Sequence, residues 1–164
     1  MAMKFSVRNY RPKDFETLYL IDRACYEPEI AYTRRELRWY LGLPATDCLV
    51  AEVRRSAKSM ARQIAGFVIV ASQTIHGHII TIDVVENLRR AGLGAALLDK
   101  AESRLRRRGV HEVWLETATN NNPAIAFWSK HGYRTRGRLR NYYPGGLDAF
   151  SMSKPLADSV PVEK

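Results

Sequence analysis

The sequence predicts an α/β fold, α+β in some schemes, with a mixed and mostly antiparallel sheet flanked by helices. Three observations predict it. Alternating or β-branched apolar runs recur between Lys4 and Lys154, apolar rows at helical spacing interrupt them, and 164 residues with 46% hydrophobic and 26% charged side chains suit one packed core. Residues 1–155 are expected to form that single domain and 156–164 a loose tail.

Taken in order, Lys4–Tyr10 alternates enough to be a first strand, and Arg11-Pro12 opens a helix that carries its apolar stripe to about Tyr26. Asp22 falls within that stripe and is expected at its edge. Thr33-Arg34-Arg35-Glu36 spells a capping box, so a second helix starts there and stops at Gly42 and Pro44. Asp47–Arg55 and Ile64–Ser72 read as antiparallel strands joined by the polar stretch Ser56–Arg62, and a third strand follows from Ile75. Ala91–Arg108 is the clearest helix: Leu93, Leu97, Ala101 and Leu105 form an i, i+4 row, and arginines crowd the last turn, where the helix dipole favours cations. Val110–Thr117 is a strand, Asn121 or Asn122 with Pro123 starts a helix to His131, and Tyr133–Tyr143 with Leu147–Lys154 suggests a hairpin around Pro144-Gly145-Gly146. The order β-α-α-β-β-β-α-β-α-β-β gives about seven strands and about four helices.

Composition narrows the function classes. The net charge of +9, from 26 Lys plus Arg against 17 Asp plus Glu, favours acidic partners such as nucleotides and phosphates. No apolar run approaches the roughly 18–20 residues that span a bilayer, and Met1–Asn9 lacks the apolar core of a secretory signal, so a cytoplasmic location without membrane association is expected. Cys25 and Cys48 have neither metal-ligand spacing nor a disulfide pattern and read as reduced thiols; no metal is expected.

The sharpest chemical signal is Arg89-Arg90-Ala91-Gly92-Leu93-Gly94-Ala95, which lies between a buried strand and the start of the strongest helix. Backbone N–H groups there have no intrahelical partner. Two arginines beside the positive end of a helix dipole cost about 0.3–1 kcal/mol each, and an anion between them reverses the sign. Gly92 and Gly94 admit a pyrophosphate close to the chain, held by charge-assisted bonds of about 1.5–3 kcal/mol each. An ordinary glycine-rich turn with solvated arginines is the competing reading. Neither a Walker loop nor a dinucleotide fingerprint fits, since the Lys-Ser/Thr and the third glycine are missing.

Arg89, Gly92 and Gly94 match the Arg/Gln-x-x-Gly-x-Gly/Ala signature of the GNAT superfamily of acetyltransferases, and Asn121, Ala124, Phe127, Trp128, Gly132 and Tyr133 nearly reproduce its second signature. The sequence therefore resembles that superfamily over about residues 4–154. Leu115-Glu116 and Arg140-Asn141-Tyr142-Tyr143-Pro144 resemble the ribosomal-protein-alanine acetyltransferases, which modify protein N-termini. The resemblance implies a GNAT-type sheet and acetyl-CoA as acyl donor, with CoA as product. It implies as acceptor a protein N-terminal α-amine, such as that of a ribosomal protein. A small-molecule amine, or a non-catalytic CoA-binding module, is the alternative, and no direct nucleic-acid contact is expected.

Residue by residue, the resemblance implies that Arg89, Arg90, Ala91, Gly92, Leu93, Gly94 and Ala95 hold the cofactor. Val84 corresponds to the strand residue whose N–H polarises the thioester, and Asn121 to a pantetheine ligand, although Asn121 is equally suited to cap a helix. Glu116, at a strand end, corresponds to the proton-collecting carboxylate. A modest base suffices for an α-amine, because deprotonating it at pH 7 costs about 1.4 kcal/mol, against nearly 5 for lysine. Trp128 departs from the family pattern, which places a tyrosine there to protonate the leaving thiolate. Its indole cannot serve as acid and is assigned to the cofactor wall; either Tyr142 or its neighbour Tyr143 is the acid instead, or both are packing or substrate-wall residues and no acid is needed, since a thiolate is a tolerable leaving group. His76, His78 and His131 read as surface or capping residues. Tyr26, Glu27 and Glu29 lie where similar proteins line the acceptor groove.

Overall fold

A computed structural model describes residues 3–54, 56 and 58–156. Seven strands alternate with four α-helices in the expected order: β1 (Phe5–Asn9), α1 (Phe15–Cys25), α2 (Arg34–Gly42), β2 (Thr46–Arg54), β3 (Arg62–Gln73), β4 (His76–Val84), α3 (Leu93–Arg107), β5 (Glu112–Ala118), α4 (Asn122–Lys130), β6 (Arg134–Leu139) and β7 (Ala149–Pro155). The strands follow the order β1-β2-β3-β4-β5-β7-β6. β4 and β5 run parallel, whereas the β1–β2, β2–β3, β5–β7 and β6–β7 pairs are antiparallel.

Two compact units are distinguishable, residues 3–71 with 80–101 and residues 72–79 with 102–156, and β3, β4 and α3 contribute residues to both. In the first unit, α1 and α2 bury Phe15, Leu18, Ile21 and Leu37 with Cys48, Val50, Phe67 and Ile69 of the strands. Pro12 opens a 3-10 turn ahead of α1, where a residue without an N–H costs nothing. The capping box of α2 forms as read: Glu36 N–H donates to Thr33 Oγ1 at 3.2 Å, and Thr33 N–H donates to Glu36 Oε2 at 2.8 Å. The register between β2 and β3 shifts after Ala51, and Gly66 stands just beyond the shift. A Cβ on Gly66 would lie 2.5 Å from the carbonyl oxygen of Asp83, so only glycine allows β3 to approach β4 there.

One local expectation fails in this unit. Asp22 is not at the edge of the α1 stripe; it is fully buried at 0% exposure. Its carboxylate takes the backbone N–H of Tyr32 at 2.7 Å, which gives a polar side chain a reason to face inward.

In the second unit, β7 lies between β5 and β6, with Leu115 opposite Met152 and Ala118 opposite Ala149. Asn121 caps α4, its Oδ1 accepting from Ala124 N–H at 3.2 Å. Buried Glu102 receives Lys154 Nζ on both oxygens at 3.0 Å and the Tyr133 hydroxyl at 2.9 Å. The final hairpin is shorter than its sequence suggests. Ladder pairing ends at Leu139 and Ala149, because Asn141 turns to a φ of +51° and gives its N–H to the Asp148 carboxylate at 2.9 Å instead of to a strand. Arg140–Tyr143 is therefore loop. Pro155 still belongs to β7, and Leu156 is 4% exposed with its N–H on His111 O, so the loose tail does not begin at 156. The remainder of that expected tail, 157–164, lies outside the described residues.

Candidate functional site

The loop predicted to hold phosphate belongs to the first unit. β4 ends at Val84, a 3-10 turn follows over Glu86–Leu88, and α3 begins at Leu93, two residues later than Ala91. Its opening bond runs from Ala96 N–H to Gly92 O at 3.0 Å, so the N–H groups of Leu93, Gly94 and Ala95 precede the helical ladder. Arg90 and Gly92 are both left-handed, at φ +62° and +86°. A non-glycine residue held there costs about 1–3 kcal/mol, the kind of local strain that collects at ligand clamps. Left-handed residues alternating with ordinary ones turn successive N–H groups toward one concavity, which suits an anion. A Cβ on Gly92 would meet nothing within 4 Å, so the space over this glycine is free for a ligand. These features fit a diphosphate at the start of α3.

Arg89 behaves differently from the sequence expectation of two arginines flanking an anion. Its Nε donates to Val84 O at 3.0 Å, and its Nη2 lies 3.5 Å from Cys25 Sγ. The side chain thus ties the loop back to the end of β4 and to α1. The Cys25 thiol is pushed up to about 11 by burial and by nearby Asp83, so it is protonated and unreactive at neutral pH. Both cysteines are free thiols, as expected.

The candidate acid–base residues belong to the second unit. Glu116 is half-buried on β5, and His78 Nε2 lies 2.6 Å from its Oε2. With Glu116 ionised, the imidazole Nε2–H donates to it. The sequence alone marks His78 as a surface or capping residue. Parallel pairing of His78 with Trp114 places it two positions from Glu116 on the neighbouring strand, a diagonal that only the strand register reveals. The Tyr143 phenol senses Glu116: burial, then the charges of Tyr142 and Glu116, raise its pKa well above the ordinary value. Tyr142 is 47% exposed and packs edge-on against Tyr143 at 4.9 Å.

Trp128 is 5% exposed, edge-on to Phe127 at 5.0 Å and to Tyr133 at 5.3 Å. It is therefore a packing residue of α4 whatever else it touches. Val84 and Arg89–Ala95 lie in the first unit, and Glu116, Asn121, Trp128 and Tyr142 in the second. Glu27 and Glu29 are exposed after α1, and Glu27 O accepts the N–H groups of Ile30 and Ala31 at 2.9 Å. No cluster of three metal-ligating side chains occurs among the described residues.

A mixed sheet with an anion-suited loop opening α3 fits the acyl-CoA-type transferase fold that the sequence resemblance implies, and comparison with known proteins agrees. The profile of the acetyltransferase (GNAT) family matches residues 15–133. The chain belongs to that family. It is 40% identical over 81 residues to an N-alpha-acetyltransferase of Sulfurisphaera tokodaii, covering 49% of this chain and 48% of that protein. It is 35% identical over 98 residues to the ribosomal protein bS18-alanine N-acetyltransferase of Escherichia coli K12, covering 58% and 66%. The match thus spans about half the length of the first relative and less than two thirds of the second. Among solved structures, Ard1 from Thermoplasma volcanium superposes with a TM-score of 0.79 at 28% identity, covering 96% of this chain and 100% of that one. The E. coli ribosomal-protein-S18-alanine N-acetyltransferase superposes with a TM-score of 0.80 at 23% identity over 98% and 99%, a likeness of fold.

Proposed function

We propose that residues 1–155 act as one acetyltransferase domain that moves an acetyl group from acetyl-CoA to an amine. The favoured acceptor is a protein N-terminal α-amine, such as that of a ribosomal protein, and the favoured location is the cytoplasm. The observation that carries the reading is the loop at the start of α3: left-handed Arg90 and Gly92, N–H groups ahead of the helical ladder, and open space above Gly92. Bound acetyl-CoA would supply an activated acyl group there, with Arg89–Ala95 around its diphosphate. The names of the relatives support the acceptor, since they are N-alpha-acetyltransferases and a ribosomal-protein alanine acetyltransferase. For location, no helix among the described residues is long and apolar enough to cross a membrane.

In the proposed reaction the neutral amine nitrogen attacks the thioester carbonyl carbon, the C–S bond breaks, and the amine's extra proton passes to Glu116, directly or through water. His78, 2.6 Å away, keeps that carboxylate oriented. Val84 is proposed to polarise the carbonyl through its N–H, Asn121 to contact the pantetheine while capping α4, and Tyr142 or Tyr143 to meet the departing thiolate. Trp128 lines the cofactor side of α4. Thiol release from acetyl-CoA, measured with peptide and small-amine panels and followed by mass spectrometry, tests the assignment. Acetylated peptide N-termini are expected. Turnover confined to small amines would move the acceptor class, and CoA binding without thiol release would make the chain a binding module.

A further inference from the structure

The chemistry above makes no use of a buried acid pair in the first unit. Asp22 on α1 is 0% exposed and Asp83 on β4 is 1% exposed. Around them the segment between α1 and α2 is fastened at both ends. Asp22 Oδ2 accepts the Tyr32 N–H at 2.7 Å, and Asp83 Oδ1 accepts the Thr81 hydroxyl at 2.9 Å. The Tyr26 hydroxyl sits 3.4 Å from Thr81 Oγ1 and from Ile82 O, and the Tyr32 hydroxyl donates to Ile80 O at 3.3 Å. One oxygen of each carboxyl, Asp22 Oδ1 and Asp83 Oδ2, is buried and receives no donor while both groups are ionised. Two adjacent anions with orphaned oxygens in a dry interior would be costly, and one proton between them removes both the repulsion and the missing bond.

We propose that Asp22 and Asp83 share a single proton and serve as positioning residues, a latch that fixes the 26–32 segment on β4 while the proton is present and loosens it when the proton is lost. The role in catalysis rests on the proposed function together with the resemblance that places Tyr26, Glu27 and Glu29 along the acceptor groove. Both carboxyls hold protons more tightly than an ordinary aspartate, foremost because burial disfavours their charged forms; Asp22 raises Asp83 further, while the hydrogen bond with Asp83 acts the other way on Asp22 and lowers it. The other charged or titratable groups acting on the pair are Arg23 and Cys25 of α1, Tyr26, Glu36 of α2, Cys48 of β2, and Arg89 through Cys25. The sign follows from linkage. A raised folded-state pKa means that the native state keeps a proton the unfolded chain has released above about pH 4, so the latch weakens as pH rises from there through the folded value. Asp83→Asn keeps the shape and carries a permanent donor for Asp22, and so should remove the dependence.

Three measurements on the full chain test the latch. Infrared spectra should show a protonated-carboxyl stretch at neutral pH in the wild type, lost in Asp83→Asn. Amide exchange in peptides covering 26–32, corrected for intrinsic rates, should accelerate with rising pH by up to about tenfold per unit in the wild type and stay level in the variant. Peptide KM should rise with pH in the wild type and not in Asp83→Asn, while kcat changes little. A missing carboxyl band, or equal exchange profiles in both proteins, overturns the latch. If Asp83→Asn does not fold, the wild-type band decides. The first two readouts need no substrate, so they stand if the proposed activity fails. A working latch with an unaltered peptide KM would overturn the positioning role.

Discussion

Replacing Gly92 by asparagine and by aspartate isolates the charge at the start of α3. Both side chains have nearly the same size, and both must adopt the φ of +86° found at this position. No atom lies within 4 Å of a new Cβ, so neither change adds a clash, and the shared penalty is the left-handed backbone, about 1–2 kcal/mol for an ordinary residue and less for Asn or Asp. In the free protein the aspartate recovers about 0.3–1 kcal/mol from the helix dipole, so the two variants should melt within about 1 kcal/mol of each other in urea. Their affinity for CoA should separate sharply. A unit negative charge about 5 Å from one phosphate charge costs between about 0.8 kcal/mol at the dielectric of water and about 3.3 kcal/mol at an effective value near 20, or from about fourfold to about 250-fold in Kd. Calorimetric titration with CoA at low salt reads the gap, and added salt should narrow it. If aspartate binds CoA as well as asparagine does, the diphosphate does not sit at this loop.

Glu116→Gln should lower kcat at neutral pH by about a hundredfold or more with CoA affinity retained, and unchanged rates across the pH range would remove Glu116 from its role. His78→Ala should lower kcat less, by about tenfold, through the lost charge-assisted bond at 2.6 Å; a wild-type rate would make His78 a bystander. Tyr133→Phe should cost about 1.5–3 kcal/mol in urea unfolding, and Glu102→Ala about 3–5, because the latter strips a buried partner from Lys154. Equal midpoints would contradict that cluster. Asp14, buried and held below the usual aspartate range by its two bonds to Arg8, contributes stability that is complete at neutral pH and lost as pH falls through its depressed folded value; Asp14→Asn should flatten acid denaturation on that side.

What the sequence disclosed and what it hid divide along a physical line. Patterns whose cause is local were legible: the Thr33–Glu36 capping box, Pro12 at a helical entry, Asn121 at the start of α4, and the glycines of the α3 loop. Each reflects the needs of nearby backbone groups. Features created by register between distant segments were not. His78 looked like a surface residue because its partner, Glu116, is 38 positions away, and Asp22 looked like a flaw in an apolar stripe because its partners Tyr32 and Asp83 come from elsewhere. An aspartate within such a stripe does signal a buried polar contact, and the β4 run with Thr81 and Asp83 among its apolar residues is the matching half. The last hairpin is shorter than its periodicity suggests for the same reason: Asp148 competes with the strand for the Asn141 N–H, a side-chain choice that no periodicity encodes.

The substitution at Trp128 bears on which step of the proposed reaction needs help. A buried indole packed edge-on against Phe127 and Tyr133 is not a usable acid at physiological pH. The demand there is small, because a thiol with a pKa near 8.5 leaves as thiolate at a cost far below that of an alkoxide. The demand at the amine is larger, since the attacking nitrogen must shed a proton as the C–N bond forms. Side chains are invested accordingly: Glu116 has an imidazole at 2.6 Å, and the nearby phenol that senses its charge, Tyr143, is held firmly protonated and so stays a donor rather than competing as a base. On the proposed reading, a chain with Trp128 where the resemblance implies a tyrosine, and with Glu116 as its carboxylate, gives up the group whose task is the easier one.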